Sequence, residues 1–250
     1  MRFTLSSTAL SSKLFALAKV ISNKNSLPIL ADFMFRTEGN TLFITASDSE
    51  NSMTTTIELS DSDIDDSFAI ENHSLLEAVK SFPEQPLTFE ADKNDKIVKI
   101  IYQNGQFSLP IESADVYPVA AKIADIAVSI QLSSALLSEN ISRCLCATAQ
   151  DELRPVMNGV FFDITPEYLT IVSTDGHKLV RNRIYDIKND VAASLILAKK
   201  PATILKNMLA KDDTLVTITF DNRNAEVTFG DTRLLCRLID GRYPNYNSVI

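Results

Sequence analysis

The 250-residue chain has no tryptophan, three cysteines, two histidines and six glycines. Each shortage excludes something. Six glycines leave no phosphate-cradling loop of Walker or dinucleotide-binding spacing, which weighs against a nucleotide-dependent enzyme. Cys144, Cys146 and Cys236 are odd in number and lie in apolar contexts, so they read as reduced core residues of a cytosolic protein, not as a disulfide framework. On a helix, the side chains of Cys144 and Cys146 would diverge by about 200°, which rules them out as a metal pair. Of the histidines, His73 starts a helix and reads as a surface residue. His177 beside Asp175 could be argued as a base, yet no nucleophile, metal cluster or second histidine accompanies it. No apolar run approaches the roughly 20 residues needed to span a bilayer. The N-terminus, MRFTLSSTALSSKLF, lacks the unbroken apolar stretch of a signal peptide. The expectation is a non-catalytic, cytoplasmic protein without cofactor, metal or membrane partner.

What the chain does have is repetition. Shifted by 127 residues against itself, Leu5-Ser6-Ser7 falls on Leu132-Ser133-Ser134, Leu10-Ser11 on Leu137-Ser138 and Pro28 on Pro155. Phe35 meets Phe162, Leu42 meets Leu169, Ile44 meets Ile171, Asp48 meets Asp175 and Ile57 meets Ile184, all without a gap. Self-similarity at a fixed offset means two copies of one structural unit, and this period is a whole domain, too long for a solenoid repeat. The expected domains are 1–120 and 128–250, each large enough to bury its own core. Residues 119–127 are apolar enough to be expected as a strand or packed connector.

Each repeat reads as a strand, a helix and three strands, done twice. In the first, Ser6 or Ser7 caps a helix expected to reach Ser22, with Leu10, Leu14, Leu17, Ala18 and Ile21 on one face. The second repeat keeps that stripe as Leu137, Ile141, Cys144, Leu145 and Thr148. Strands are predicted at 29–36, 41–46, 52–59 and 67–70, matched by 156–164, 168–173, 178–187 and 193–197. Second helices follow at 73–81 and 200–210, and three more strands close the first repeat at 86–91, 97–103 and 106–109. Their counterparts are 214–220, 224–229 and 233–238. Short connections make the sheets mostly antiparallel and the class α+β.

Net charge is −8, which argues against nucleic acid if taken as a sum. Its distribution differs. Asp61, Asp63, Asp65 and Asp66 crowd one loop, whereas Lys13 and Lys19 lie on the first helix with Lys24 just beyond, and Lys199, Lys200, Lys206 and Lys211 lie in or beside the last. The other two helices are mixed, with Glu77 beside Lys80 and Glu139 near Arg143.

Four motifs occur in order: Leu27-Pro28-Ile29-Leu30, Arg154-Pro155-Val156-Met157-Asn158-Gly159, Ser173-Thr174-Asp175-Gly176-His177-Lys178-Leu179, and Asp240-Gly241-Arg242-Tyr243-Pro244-Asn245-Tyr246. With the duplication, they closely resemble the bacterial DNA polymerase III beta-subunit family, the replicative sliding clamps, over the whole chain. The resemblance implies the DNA clamp fold, with two helices per domain packed on antiparallel sheets under a pseudo-twofold. It also implies a processivity factor that encircles duplex DNA as a homodimeric ring of three-domain subunits. The third domain is absent from this chain, so the 250 residues are expected to be monomeric. Implied DNA-facing residues are Lys13, Lys19, Lys24, Arg143, Lys199, Lys200 and Lys206. Implied partners are double-stranded DNA, the polymerase III catalytic subunit, the clamp loader and other proteins carrying a clamp-binding peptide. The implied peptide pocket has Met157, Thr174, Gly176, His177, Lys178, Leu179, Pro244 and Val249 as its wall. Lys178 and Ser248 stand where the family often has arginine. A two-domain scaffold unrelated to DNA would require the motif order to be coincidence.

Overall fold

A computed structural model describes residues 1–22, 24–25 and 27–250. Contacts divide the chain into Met1–Ala120 and Ala121–Ile250. In the first unit β1 (Arg2–Ser6) runs directly into α1 (Ser7–Leu17), followed by a 3-10 turn at Pro28–Ala31 and by β2 (Asp32–Glu38), β3 (Thr41–Ser47) and β4 (Asn51–Glu58). A two-residue β5 (Asp61–Ser62) lies in the acidic loop. Then β6 (Ser67–Glu71) passes into α2 (Asn72–Val79), and β7 (Pro86–Asp92), β8 (Ile97–Tyr102) and β9 (Gly105–Ser113) complete the unit. The sheet order within it is β4-β3-β2-β6-β9-β8-β7-β1-β5.

The second unit repeats this plan. β10 (Val128–Ser133) leads into α3 (Ser134–Leu145), a 3-10 turn at Pro155–Asn158 precedes β11 (Gly159–Ile164), and β12 (Leu169–Thr174) and β13 (Leu179–Ile184) follow. β14 (Ala193–Ala198) then leads into α4 (Lys199–Met208), ahead of β15 (Leu215–Phe220), β16 (Asn224–Phe229) and β17 (Thr232–Arg237). One sheet runs β13-β12-β11-β14; in the other, β10, β15, β16 and β17 are successive neighbours. Pairings within both units are antiparallel, as the short connections require. A strand running straight into a helix occurs twice per unit, which is the internal pseudo-symmetry.

The repeated Leu-Ser-Ser has a physical reason. Ser6 and Ser133 are N-caps: each side chain accepts from a backbone N–H three residues on, Ala9 and Leu136 respectively. The next serine faces inward. Ser7 Oγ donates to the Pro83 carbonyl at 2.8 Å, and Ser134 Oγ donates to the Ala210 carbonyl at 2.7 Å. Pro83 and Ala210 occupy the same place in the two repeats, just after the second helix. Each buried serine thus ties the start of one helix to the exit of the other, and the helices of each pair pack together.

Apolar periodicity fills the cores. Leu10, Leu14 and Leu17 of α1 and Leu137, Ile141 and Cys144 of α3 are fully buried. Phe3 stacks on Phe89 with ring centres 5.0 Å apart, and Phe35 lies against Phe68 and Phe89.

Four expectations need correction. The first helix ends at Leu17, not Ser22, because the N–H groups of Lys19 and Val20 bond to carbonyls three residues back, tightening the chain into turns. The chain before β2 and β11 is 3-10, with each Pro in its first turn, so those strands start later than predicted. Residues 118–124 form neither strand nor helix; Val119 and Ile126 are almost fully exposed, so 119–127 is not a packed connector. Cys146 is exposed, and only Cys144 and Cys236 are core residues.

Ser134→Ala should destabilise the second unit by about 0.5–1.5 kcal/mol, since it removes the hydrogen bond from the buried hydroxyl to the Ala210 carbonyl. Urea denaturation followed by far-UV circular dichroism measures this; an unchanged midpoint would contradict the tie.

Candidate functional site

The positive charge gathers at two places in the second unit. A groove between α3 and α4 is lined by Ser138, Glu139, Ser142, Arg143, Lys206, Asn207 and Lys211, so three cations face one carboxylate. That carboxylate is partly engaged, because Arg143 pairs with Glu139 one turn back. The other place is the start of α4. Its N-cap, Ala198, supplies no side-chain acceptor, its first turn contains no acid, and Lys199 and Lys200 are its first residues. Free N–H groups and the helix dipole already make that end positive, and two ammonium groups add to it. Such a helix start favours anions.

The structure therefore brings Arg143 and Lys206 to one groove and sets Lys199 and Lys200 together at the other end of α4. In the first unit Lys13 is half-buried on α1, while Lys19 and Lys24 are exposed in the turns that follow it. No ion pair involves Lys19, Lys24, Lys199, Lys206 or Lys211 among the described residues, so their charge is available to solvent. Lys211 was recognised in sequence only as flanking the helix; the groove makes it part of the basic set.

An apolar platform forms elsewhere in the same unit. Its framework is a turn between β12 and β13. Asp175 Oδ1 accepts from the N–H groups of His177 and Lys178, both at 2.9 Å, and Gly176 takes a left-handed φ of +91°. Those two backbone bonds, with help from the Lys178 ammonium, hold the Asp175 carboxyl down at about 2. Among the described residues no hydrogen bond or ion pair joins this carboxylate to the His177 ring. The first repeat builds the same turn: Asp48 Oδ1 accepts from Glu50 and Asn51, and Ser49 takes a φ of +79°.

Beneath the turn lies an aromatic floor. Tyr243 stacks on Phe161 with ring centres 4.6 Å apart and planes 1° off parallel, and its hydroxyl accepts from the Thr174 N–H at 3.0 Å. Tyr246 meets Phe161 edge-on and donates to Asp163 at 2.6 Å. Burial pushes both phenols up to about 12, so they stay neutral. Val172 and Ile196 belong to the same cluster, with Val156, Leu179 and Ile239 packed against it. Tyr243, Tyr246, Phe161 and Val172 were not picked out from sequence as site residues, although both tyrosines stand in the last quoted motif. Their role depends on a non-local hydrogen bond and a ring stack that spacing does not reveal.

The residues expected as the pocket wall fall into two groups. Met157 and Thr174 are buried; Thr174 Oγ1 donates to the Lys178 carbonyl and accepts from the Gly176 N–H, so its hydroxyl is occupied within the turn. Gly176, His177, Lys178, Pro244 and Val249 are exposed, and Leu179 is half-buried. A Cβ on Gly176 would lie 3.2 Å from Arg154 Nη1 and 3.7 Å from Met157 Cε, which places the Arg154 head group beside the turn. Arg154 is steered there by its Nε bond to Asp151 at 2.8 Å. Among the described residues no cluster of three or more His, Cys, Asp and Glu side chains forms a metal site, and no helix is long and apolar enough to cross a membrane.

Comparison with known proteins gives consistent results. Two domain profiles of the DNA polymerase III beta subunit match, the N-terminal domain over residues 1–121 and the central domain over residues 131–245. The chain is 25% identical over 252 residues to the beta sliding clamp of Pseudomonas putida, covering 100% of this chain and 68% of that protein. Its fold matches a sliding clamp (DNA polymerase III subunit beta) from Pseudomonas aeruginosa bound to griselimycin, with a TM-score of 0.93, 23% identity, and 100% and 68% of the two chains covered. It also matches the Helicobacter pylori beta clamp bound to a DNA ligase peptide, with a TM-score of 0.89, 20% identity, and 100% and 70% covered.

Proposed function

The chain belongs to the DNA polymerase III beta-subunit family and is a DNA sliding clamp, a non-catalytic processivity subunit, and on that premise we propose how its two surfaces work. The basic set meets the phosphates of duplex DNA. The Asp175–Lys178 turn with its aromatic floor receives the short peptide of partner proteins. The observation that carries the first part is the α3–α4 groove, where Arg143, Lys206 and Lys211 outnumber Glu139 on a protein of net charge −8.

A clamp has to hold DNA yet let it move. Flexible ammonium groups suit this, since each neutralises a phosphate as a point charge without reading a base. Contacts of this kind are sequence-independent and weaken steeply with salt. Lys13, Lys19 and Lys24 on the first unit are assigned the same role as Lys199, Lys200, Lys206 and Arg143 on the second. The acidic remainder of the surface disfavours adsorption of DNA elsewhere.

For partner peptides, Leu179 and Pro244 supply apolar contact, Gly176 allows close backbone approach, and His177 and Lys178 supply polar contact at the rim. Met157 and Thr174 act from beneath by holding the turn, and Val249 adds apolar surface at the edge. The DNA ligase peptide bound by the Helicobacter pylori clamp supports a peptide as occupant. The polymerase III catalytic subunit and the clamp loader are the proposed partners, a ring of two copies the proposed assembly, and the cytoplasm its place of action.

Replacing Lys199, Lys200 and Lys206 together by alanine should flatten the slope of log affinity against log salt by about 2 to 3, measured by fluorescence anisotropy on a labelled duplex. An unaltered slope would remove these residues from the interface. Leu179→Asp should weaken a fluorescent clamp-binding peptide at least tenfold, because it sets a carboxylate against apolar surface. Equal affinity for both proteins would move the peptide site elsewhere.

A further inference from the structure

The first unit carries a recess of about 570 Å³ that plays no part in the reading above. Its walls are Leu27, Pro28, Ile29, Pro110, Ile111 and Val116, and its polar residues are three carboxylates, Asp32, Glu71 and Glu112. No cation lines it. This volume is within the range of ordinary ligand pockets, which run from roughly 300 to 1,000 Å³.

Asp32 is the unusual residue. It is 8% exposed, and no donor or cation among the described residues reaches its carboxylate. In the ladder it stands directly opposite Glu71, a like-charge pairing that destabilises a sheet. Glu71 is committed elsewhere, capping α2 by accepting from the N–H groups of His73 and Ser74. Glu112 is exposed at the rim of the recess. The second repeat has Gly159 at the position of Asp32, where a Cβ would lie 2.6 Å from the Leu197 carbonyl oxygen and 3.0 Å from Ile239. One repeat has closed this place with packed side chains. The other has opened it and put a buried, unpaired acid inside.

Such an acid works against folding, so stability does not account for it. Unpaired buried charge with apolar walls does suit a ligand that brings the missing cation. We propose that this recess binds an extended peptide segment carrying one arginine or lysine between apolar residues, whose cationic head pairs with Asp32 and Glu112 while its neighbours cover Leu27, Ile29 and Val116. Leu27 and Val116 are 45% and 63% exposed, which leaves apolar area at the mouth for those flanking residues. The pairing adds to the function of the second unit and does not depend on it.

Protonation follows from the surroundings. Burial first, then Glu71 and Glu112, raises the Asp32 carboxyl to about 6. The folded unit therefore binds a proton that the unfolded chain releases near 4, and its stability falls as pH rises through that window. Glu71 is lowered against its own burial, chiefly by hydrogen bonds from Ser74 and from the His73 N–H, with a smaller contribution from the His73 ring on the same side. A bound cation favours ionised Asp32, so affinity should increase as pH rises through about 6.

The test uses the 250-residue chain and the peptide Ac-Leu-Arg-Leu-NH2, with its neutral isostere Ac-Leu-citrulline-Leu-NH2 and argininamide as controls, followed by amide shifts of Ile29, Ile111 and Val116 in 1H–15N spectra. The arginine peptide should bind at least tenfold more tightly than either control, and weaken at least tenfold in Asp32→Asn. Asp32→Asn should fold with an unchanged or higher Tm, so loss of binding in it is not loss of structure; Glu112→Gln gives a second variant expected to weaken binding. Equal binding of the citrulline peptide, equal binding of argininamide, or full affinity in Asp32→Asn would each overturn the proposal, as would absence of binding by the arginine peptide.

Discussion

The helix pair of each unit depends on one buried hydroxyl. Ser7 reaches the Pro83 carbonyl and Ser134 reaches the Ala210 carbonyl, each joining the beginning of one helix to the loop that leaves the other. A net hydrogen bond of this kind contributes only about 1 kcal/mol, but an unmade buried one costs more than that. The constraint is therefore geometric as much as energetic: the two helices cannot slide apart without stranding a buried serine hydroxyl. The lysines proposed to meet DNA are carried on or beside these helices, so on that reading their position rests on this tie.

Charge separation follows from that scaffold. Strand-borne and loop-borne acid makes the whole chain negative, while α3 and α4 carry a basic groove and α4 starts with two lysines at its positive end. The lysines at the start of α4 do not favour folding, because they oppose the macrodipole, whereas Arg143 and Lys206 lie in the last turns of α3 and α4, where the dipole favours them. The pair at the start of α4 fits the proposed surface that meets a polyanion. The peptide platform follows a different rule. There the Asp175 turn and the Tyr243 hydroxyl use their hydrogen bonds internally, leaving Leu179, Pro244 and Val249 as apolar surface with His177 and Lys178 at its rim for the proposed peptide.

Much of this was readable beforehand, for reasons that are local. Ser6 or Ser7 announces the first helix start because capping needs only the residue and its next three neighbours; the structure settles on Ser6, with Ser133 as its counterpart. Leu10, Leu14 and Leu17 reveal a buried face because helical periodicity is a local property. Asp175-Gly176 marks a turn for the same reason. The misreadings share the opposite cause. The end of α1 depends on how the chain tightens after Leu17, and the exposure of Cys146 depends on which side of α3 finds a sheet. Tyr243 and Tyr246 became part of the floor only through contact with Phe161, more than eighty residues earlier in the chain. Asp32 gave no signal at all in sequence, since its burial arises from the placement of β6 and β9 around it.

The central claim is that a defined subset of lysines faces duplex DNA. Lysine acetylation with and without a saturating duplex, read residue by residue by mass spectrometry, tests it most directly. The account predicts protection of Lys13, Lys19, Lys24, Lys199, Lys200, Lys206 and Lys211, with Lys93, Lys96 and Lys99 on the β7–β8 hairpin reacting as before. Protection spread evenly over all of these lysines, or confined to the hairpin, would contradict it.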